Sequence, residues 1–485
     1  MIERSSGVLA HVTMLPGPYG CGTFGREAEQ FVDLLSECGF TYWQVLPFSH
    51  PESENSPYTA YSAFAFNPLL IDPGMLFEVG MLDDAEEREA RCNGSHYTVD
   101  FEEVKRLRSA ALHRAYARIT PEIGRQVKRF VKEEEYWLPD YARFMDCKKG
   151  KGDGARVGYY EFVQWVAHSQ WRHLKKYAND RGVKIFGDMP IYLSADSSDV
   201  WAHPEYFLLD GERRPEAVAG VPPDYFSADG QLWGNPLYDY GAMEKDGYEW
   251  WMRRIGKSLS DFDAVRIDHF RGFSRFWAVP YGAKTAREGK WMKGPGMKLF
   301  RRVKERFPDG NIIGEDLGVL DEAAYRFFRQ AGYPGMRVLQ FAFGKGGDMH
   351  RPHNYAGKTV AYTGTHDNDT FLGRFFEIGE EEKDFMCRYL GVDKNICYAG
   401  GPYAPLCRAA ARALWQSQAV LTVLPYQDLM GWGNDTRMNR PGIPTGCWNV
   451  RITPESEREL DRAFWARLNR DFDRDGKKAG NGKKE

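Results

Sequence analysis

Residues 262–268 read FDAVRID, an apolar run of Ala264, Val265 and Ile267 that carries Arg266 and Asp268 two positions apart. In an extended strand successive side chains alternate faces, so Arg266 and Asp268 point the same way. A guanidinium beside a carboxylate keeps that carboxylate ionised, as a nucleophile requires. The same pairing also suits a structural ion pair, so position has to decide.

Working outward, seven further runs read as strands: 40–47 (FTYWQVLP), 67–72 (NPLLID), 183–190 (VKIFGDMP), 311–316 (NIIGED), 335–343 (GMRVLQFAF), 359–367 (TVAYTGTHD) and 419–428 (AVLTVLPYQD). Between them lie helical patterns such as GMKLFRRVKERF (296–307), DEAAYRFFRQAG (321–332) and YAPLCRAAARALWQSQ (403–418). Each has the length a crossover helix needs. An opening helix is expected where Phe31, Leu34, Leu35 and Cys38 recur at helical spacing and Gly39 stops it. Eight strands alternating with helices predict a (β/α)8 barrel, an α/β fold whose reactive groups sit where strands end.

Two stretches break the repeat. Residues 74–181 are charged and helical in pattern, and 193–261 are rich in Pro, Gly, Trp and Tyr. The expected organisation is a barrel start (1–73), a helical insertion (74–181), a barrel strand (182–192), a loop-rich insertion over the site (193–261), the rest of the barrel (262–455), and a closing helix with a disordered tail (456–485).

Composition narrows the function. Lys plus Arg number 65 against 68 Asp plus Glu, a net charge of -3 that gives nucleic acid or anionic lipid nothing to hold. The eight cysteines form no C-x-x-C pair, so no zinc site or disulfide framework is indicated, and free thiols fit a reducing compartment. The N-terminal sequence lacks a basic start with a long apolar run, and no stretch is long and apolar enough for a membrane span. A cytoplasmic protein is expected. Aromatic residues make up 14% of the chain, and flat rings stack on the apolar faces of sugars as well as filling cores.

Four strand ends carry chemistry. Glu315 follows a buried-looking run and a glycine, where low dielectric raises an acid's pKa. His366 and Asp367 end another run, and Asp188 a fourth. Asp367-Asn368-Asp369 begins like a calcium loop but has Leu372 where glycine is required, and the acidic run at 471–476 has no exit helix to complete a calcium site. No metal and no cofactor is expected.

These segments resemble the amylomaltases, or 4-α-glucanotransferases, relatives of the α-amylases. The resemblance rests on NSPYTAYSAFAFNPLLID (55–72), GDMPIYL (187–193), DVWAHPEYF (199–207), VAGVPPDYFSADGQLWGNPLYDY (218–240), VRIDHFRGF (265–273), IIGEDLG (312–318), TGTHDND (363–369) and RMNRPG (437–442). It implies a retaining double displacement with Asp268 as nucleophile, Glu315 as acid/base and Asp367 as a third carboxylate stabilising the transition state. Arg266 and His366 are implied supports for the nucleophile and the sugar. Ser56, Tyr58, Asp188, Gln231, Trp233, His269 and Asn439 are implied to line a glucan groove. The loop at 220–236, with Tyr225, Phe226 and Trp233, is expected to cover the cleft and stack acceptor rings, favouring transfer to a sugar over water. The implied partners are an α-1,4-glucan donor and a glucose or maltodextrin acceptor. Phe66 and Cys447 depart from the family pattern, which has Gly and Asn there. The rival readings are an α-glucan hydrolase with the same carboxylates and a silent glucan-binding protein, which the intact Asp268 and Glu315 disfavour.

Overall fold

A computed structural model of the protein describes residues 2–52, 55–223, 228–318, 320–443 and 445–477. Eight strands form one parallel sheet: β1 (Ser5–Leu9), β2 (Tyr42–Gln44), β3 (Lys184–Met189), β4 (Ala264–Ile267), β5 (Ile312–Gly314), β6 (Gly335–Val338), β7 (Thr359–Tyr362) and β8 (Leu421–Pro425). Each pairs with its neighbour in the chain except β5 with β6, and β8 pairs with β1. The seam between β5 and β6 is bridged where the Gly314 N–H donates to the Pro334 carbonyl at 3.0 Å. The sheet therefore curls into a barrel, and its strands are buried on both faces, as their apolar runs require.

Helices cover the outside. Arg26–Glu37 buries Phe31, Leu34 and Leu35 and is followed by Gly39 at φ 74°, the left-handed conformation that a helix stop of this kind needs. Val157–Asp180, Glu249–Asp261, Met297–Arg306, Glu322–Ala331 and Pro405–Gln416 precede β3, β4, β5, β6 and β8. Between β2 and Val157 the chain adds Phe101–Ala117, Pro121–Glu133 and Leu138–Lys149.

The structure corrects three expectations. NPLLID is not a strand: Asn67 caps a 3-10 turn at Pro68–Leu70 by accepting the Leu69 N–H. Its apolar residues are buried all the same, and its backbone is paired by side chains. The Gln164 amide bonds both the N–H and the carbonyl of Phe66 at 2.8 Å, and Gln170 does the same for Asp72 at 2.7 and 3.0 Å. The eighth strand is instead β1, whose Ser5, Ser6 and Gly7 disguise it. Gly7 is required there, because a Cβ would meet the Tyr42 Cβ and carbonyl oxygen of β2 at 2.8 Å. The start of the expected tail is packed as far as Arg474, and residues 478–485 lie outside the described residues. Arg474 is fully buried, donating to the carbonyls of Ser5, Trp415, Ser417 and Ala419.

A second sheet of four antiparallel strands stands beside the barrel, in the order Gln231–Pro236, Ala217–Val221, Arg275–Pro280, Lys290–Lys293. It joins the insertion before β4 to the segment after it, and sets the Gln231–Pro236 strand near the mouth.

Candidate active site

The barrel register selects the inward side chains. Asp188 on β3 is paired with Arg266 on β4, so the two face the same side, and Ile267 is paired with Gly314. One residue beyond that pair, the ladder continues: the Asp268 N–H donates to the Met189 carbonyl at 3.0 Å and the Glu315 N–H to the Ile267 carbonyl at 3.1 Å. Asp268 and Glu315 thus leave adjacent strands at the same level, with strand axes about 4.8 Å apart. Gly314 has a steric reason, since a Cβ there would meet the Phe270 and Phe328 rings at 3.0 Å.

The two carboxyls have opposite surroundings. Asp268 accepts from Arg266 Nη2 at 2.6 Å and its side chain is 30% exposed. Arg266 is buried and spends Nη1 on Asp188 Oδ2 at 2.7 Å, an oxygen that also accepts from the Tyr58 hydroxyl at 2.7 Å. Glu315 is 9% exposed, and burial, together with the negative charge of Asp268, pushes its carboxyl up to about 7, against the opposing pull of Arg266. It accepts from the backbone N–H groups of His269 (2.9 Å) and Leu317 (2.6 Å). His269 makes that bond from a left-handed backbone at φ 45°. Its imidazole is lowered to about 4 by burial.

The end of β7 completes the cluster. The His366 ring stacks on Tyr58 at 5.1 Å and 12°, and its Nε2 stands 3.4 Å from Asp367 Oδ1. The Asn439 amide donates to that oxygen at 2.6 Å, and the Asn439 N–H donates to the His366 carbonyl at 3.2 Å. Asp367 is 42% exposed and open to a ligand, while Asp369 is taken by Arg437 at 2.6 Å and Asn368 caps Thr365. Asn368 and Asp369 are thus engaged within the protein. Ser56 Oγ accepts the Tyr58 N–H at 3.3 Å, fixing the turn that carries Tyr58. Trp233 is 36% exposed, with its Nε1 donating to Gln231 at 3.2 Å and its ring 4.9 Å from His269. Tyr225 and Phe226 lie outside the described residues.

The sequence pattern of the 4-alpha-glucanotransferase family matches residues 10–157 and 151–456. The chain belongs to the 4-alpha-glucanotransferase family. It is 42% identical over 501 residues to the 4-alpha-glucanotransferase of Thermus thermophilus, covering 96% of this chain and 98% of that one. Against the enzyme of Clostridium butyricum the identity is 41% over 469 residues, covering 91% and 95%. Among solved structures, the amylomaltase from Streptococcus agalactiae in complex with acarbose superposes with a TM-score of 0.92 at 36% identity, covering 97% of this chain and all of that one. The protein is a 4-α-glucanotransferase on a (β/α)8 barrel. Among the described residues, no helix is long and apolar enough to cross a membrane.

The two departures of this 4-α-glucanotransferase lie in different parts of the fold. Phe66 is a core residue, 4% exposed and stacked on His168 at 4.0 Å, so it is not a groove contact. The Cys447 sulfur accepts the Arg440 N–H at 3.3 Å within the loop after Asn439. Three site residues escaped the sequence reading. Arg437 donates to the Asp367 carbonyl at 2.5 Å as well as to Asp369, and lay in view two positions before Asn439. His11 follows β1 and lines a small cavity with His366, Gln427 and Arg437. Burial, reinforced by His366, lowers its imidazole to about 3. Trp448 packs on Tyr58 and His366, and nothing in its local sequence announces that contact.

Proposed function

We propose that this 4-α-glucanotransferase moves α-1,4-glucan segments from a maltodextrin donor to the 4-hydroxyl of glucose or another glucan through a glycosyl ester on Asp268. One observation carries the reading: two carboxyls end adjacent strands in register, with environments that separate their proton affinities. Asp268, held by Arg266, attacks the anomeric carbon while Glu315, protonated near neutral pH, gives its proton to the departing glycosidic oxygen. Retaining glycosidases hold such a pair about 5 to 5.5 Å apart, close to the spacing of neighbouring strands. Glu315, now ionised, removes the proton from the incoming hydroxyl, and the second displacement restores the α linkage.

Asp367, Tyr58 and His366 are assigned to the sugar at the cleavage point, and Gln231 and Trp233 to the acceptor side. Ser56 holds the turn of Tyr58, Asp188 holds Arg266, His269 supplies the backbone donor to Glu315, and Asn439 orients Asp367. Tyr225 and Phe226, beside them in sequence, are proposed to cover the acceptor. Incubation with maltotriose tests the function. A ladder of longer maltodextrins together with glucose is the expected product, whereas shortening without a ladder identifies a hydrolase.

A further inference from the structure

We propose that Trp448 is a positioning residue, which fixes the His366 and Asp367 side chains for reaction by closing the loop that runs from Met438 to Trp448. The proposal rests on the transferase reading of the site.

Trp448 adopts φ 67°, a left-handed backbone that is costly for a bulky side chain and persists only where its surroundings hold it. Non-glycine residues in this conformation are few, and His269, which holds Glu315, is another at the same mouth. What the Trp448 conformation achieves is a contact. It turns the indole inward, 6% exposed, with centroids 5.8 Å from Tyr58 and 5.9 Å from His366. The His366 ring is then bounded by two aromatic faces, Tyr58 at 5.1 Å and Trp448.

The backbone of the loop serves the same end. The Trp448 N–H donates to the Met438 carbonyl at 2.8 Å, and the next residue in from the base, Asn439, holds the His366 carbonyl and the Asp367 carboxylate. Beyond Trp448 the chain is anchored to the helical insertion and to the segment after β1: the Asn449 carbonyl accepts the Val99 N–H at 2.7 Å, and Arg451 donates to the Ser95 carbonyl at 3.1 Å and the Gly17 carbonyl at 3.0 Å. Released from these ties, a left-handed tryptophan relaxes, and both His366 and Asp367 lose a restraint. A misplacement of about 1 Å in such a group costs on the order of a hundredfold in rate.

The test compares Trp448→Phe, Trp448→Leu and Trp448→Ala with wild type, reading kcat and KM for maltotriose disproportionation together with the thermal midpoint. Leu keeps buried apolar volume without a flat face, so it serves even where Ala does not fold. The expected result is a kcat lowered roughly tenfold or more in Leu and Ala, KM within about threefold, and most of kcat kept in Phe. A folded Leu variant with kcat within about twofold of wild type overturns the proposal. So does a rise in KM at unchanged kcat, which makes Trp448 a sugar contact instead. A wild type that builds no ladder from maltotriose counts against the transferase reading, and is seen before any variant is compared.

Discussion

At the scale of single residues the site works by holding two similar carboxyls in unlike places. Burial disfavours the charge of Glu315 and pushes its carboxyl up to about 7, and in the proposed mechanism it carries the proton that a departing sugar oxygen needs. The kcat/KM profile on maltotriose is therefore expected to fall above pH of about 7, and a rate that stays level to pH 9 contradicts the assignment. The same shift acts on stability. Between its ordinary value of 4.5 and about 7, Glu315 holds a proton in the folded chain but not in the unfolded one, so stability declines as pH rises through that window. Glu315→Gln is expected to flatten this slope, read as the thermal midpoint across pH 4 to 8 against wild type. The spacing of Arg266 and Asp268 was legible because a strand has period two. Asp188 was legible as a strand end, but that it holds Arg266 needed the register of β3 on β4. Trp448 reaches His366 across 82 positions of chain, and no local pattern encodes such a contact.

At the scale of elements, most barrel strands and helices were readable because both faces of each strand are covered and their runs are continuous. The failures have one cause, polar residues that pair with backbone. NPLLID is apolar and buried like a strand, but Gln164 and Gln170 on the helix Val157–Asp180 take the backbone groups that a neighbouring strand would have taken. β1 carries two serines and a glycine, and its Ser5 hydroxyl donates to the Glu3 carbonyl at 2.7 Å. Gln164→Leu orphans the Phe66 N–H and carbonyl in the core, and is expected to cost about 1–3 kcal/mol per stranded group in urea unfolding. A change within about 0.5 kcal/mol means those groups find other partners.

At the scale of the whole molecule, the barrel gathers chemistry from Tyr58 to Trp448 at one mouth, and the chain closes on itself through Arg474. That guanidinium links β1 to the segment before β8, so Arg474→Ala is expected to lower the thermal midpoint by several degrees while leaving KM for maltotriose unchanged. The eightfold repeat and the convergence of acids at strand ends could be read from the sequence. The small antiparallel sheet could not, because its strands Ala217–Val221 and Arg275–Pro280 pair across an intervening barrel strand. Everything functional depends on Asp268 carrying the sugar. The most direct measurement uses Glu315→Gln with α-maltosyl fluoride, a donor whose departure needs no proton, followed by digestion and mass spectrometry of the peptides. The account predicts a maltosyl adduct on the peptide bearing Asp268. An adduct on any other carboxylate, or release of fluoride with no adduct on a variant shown to be folded, contradicts it.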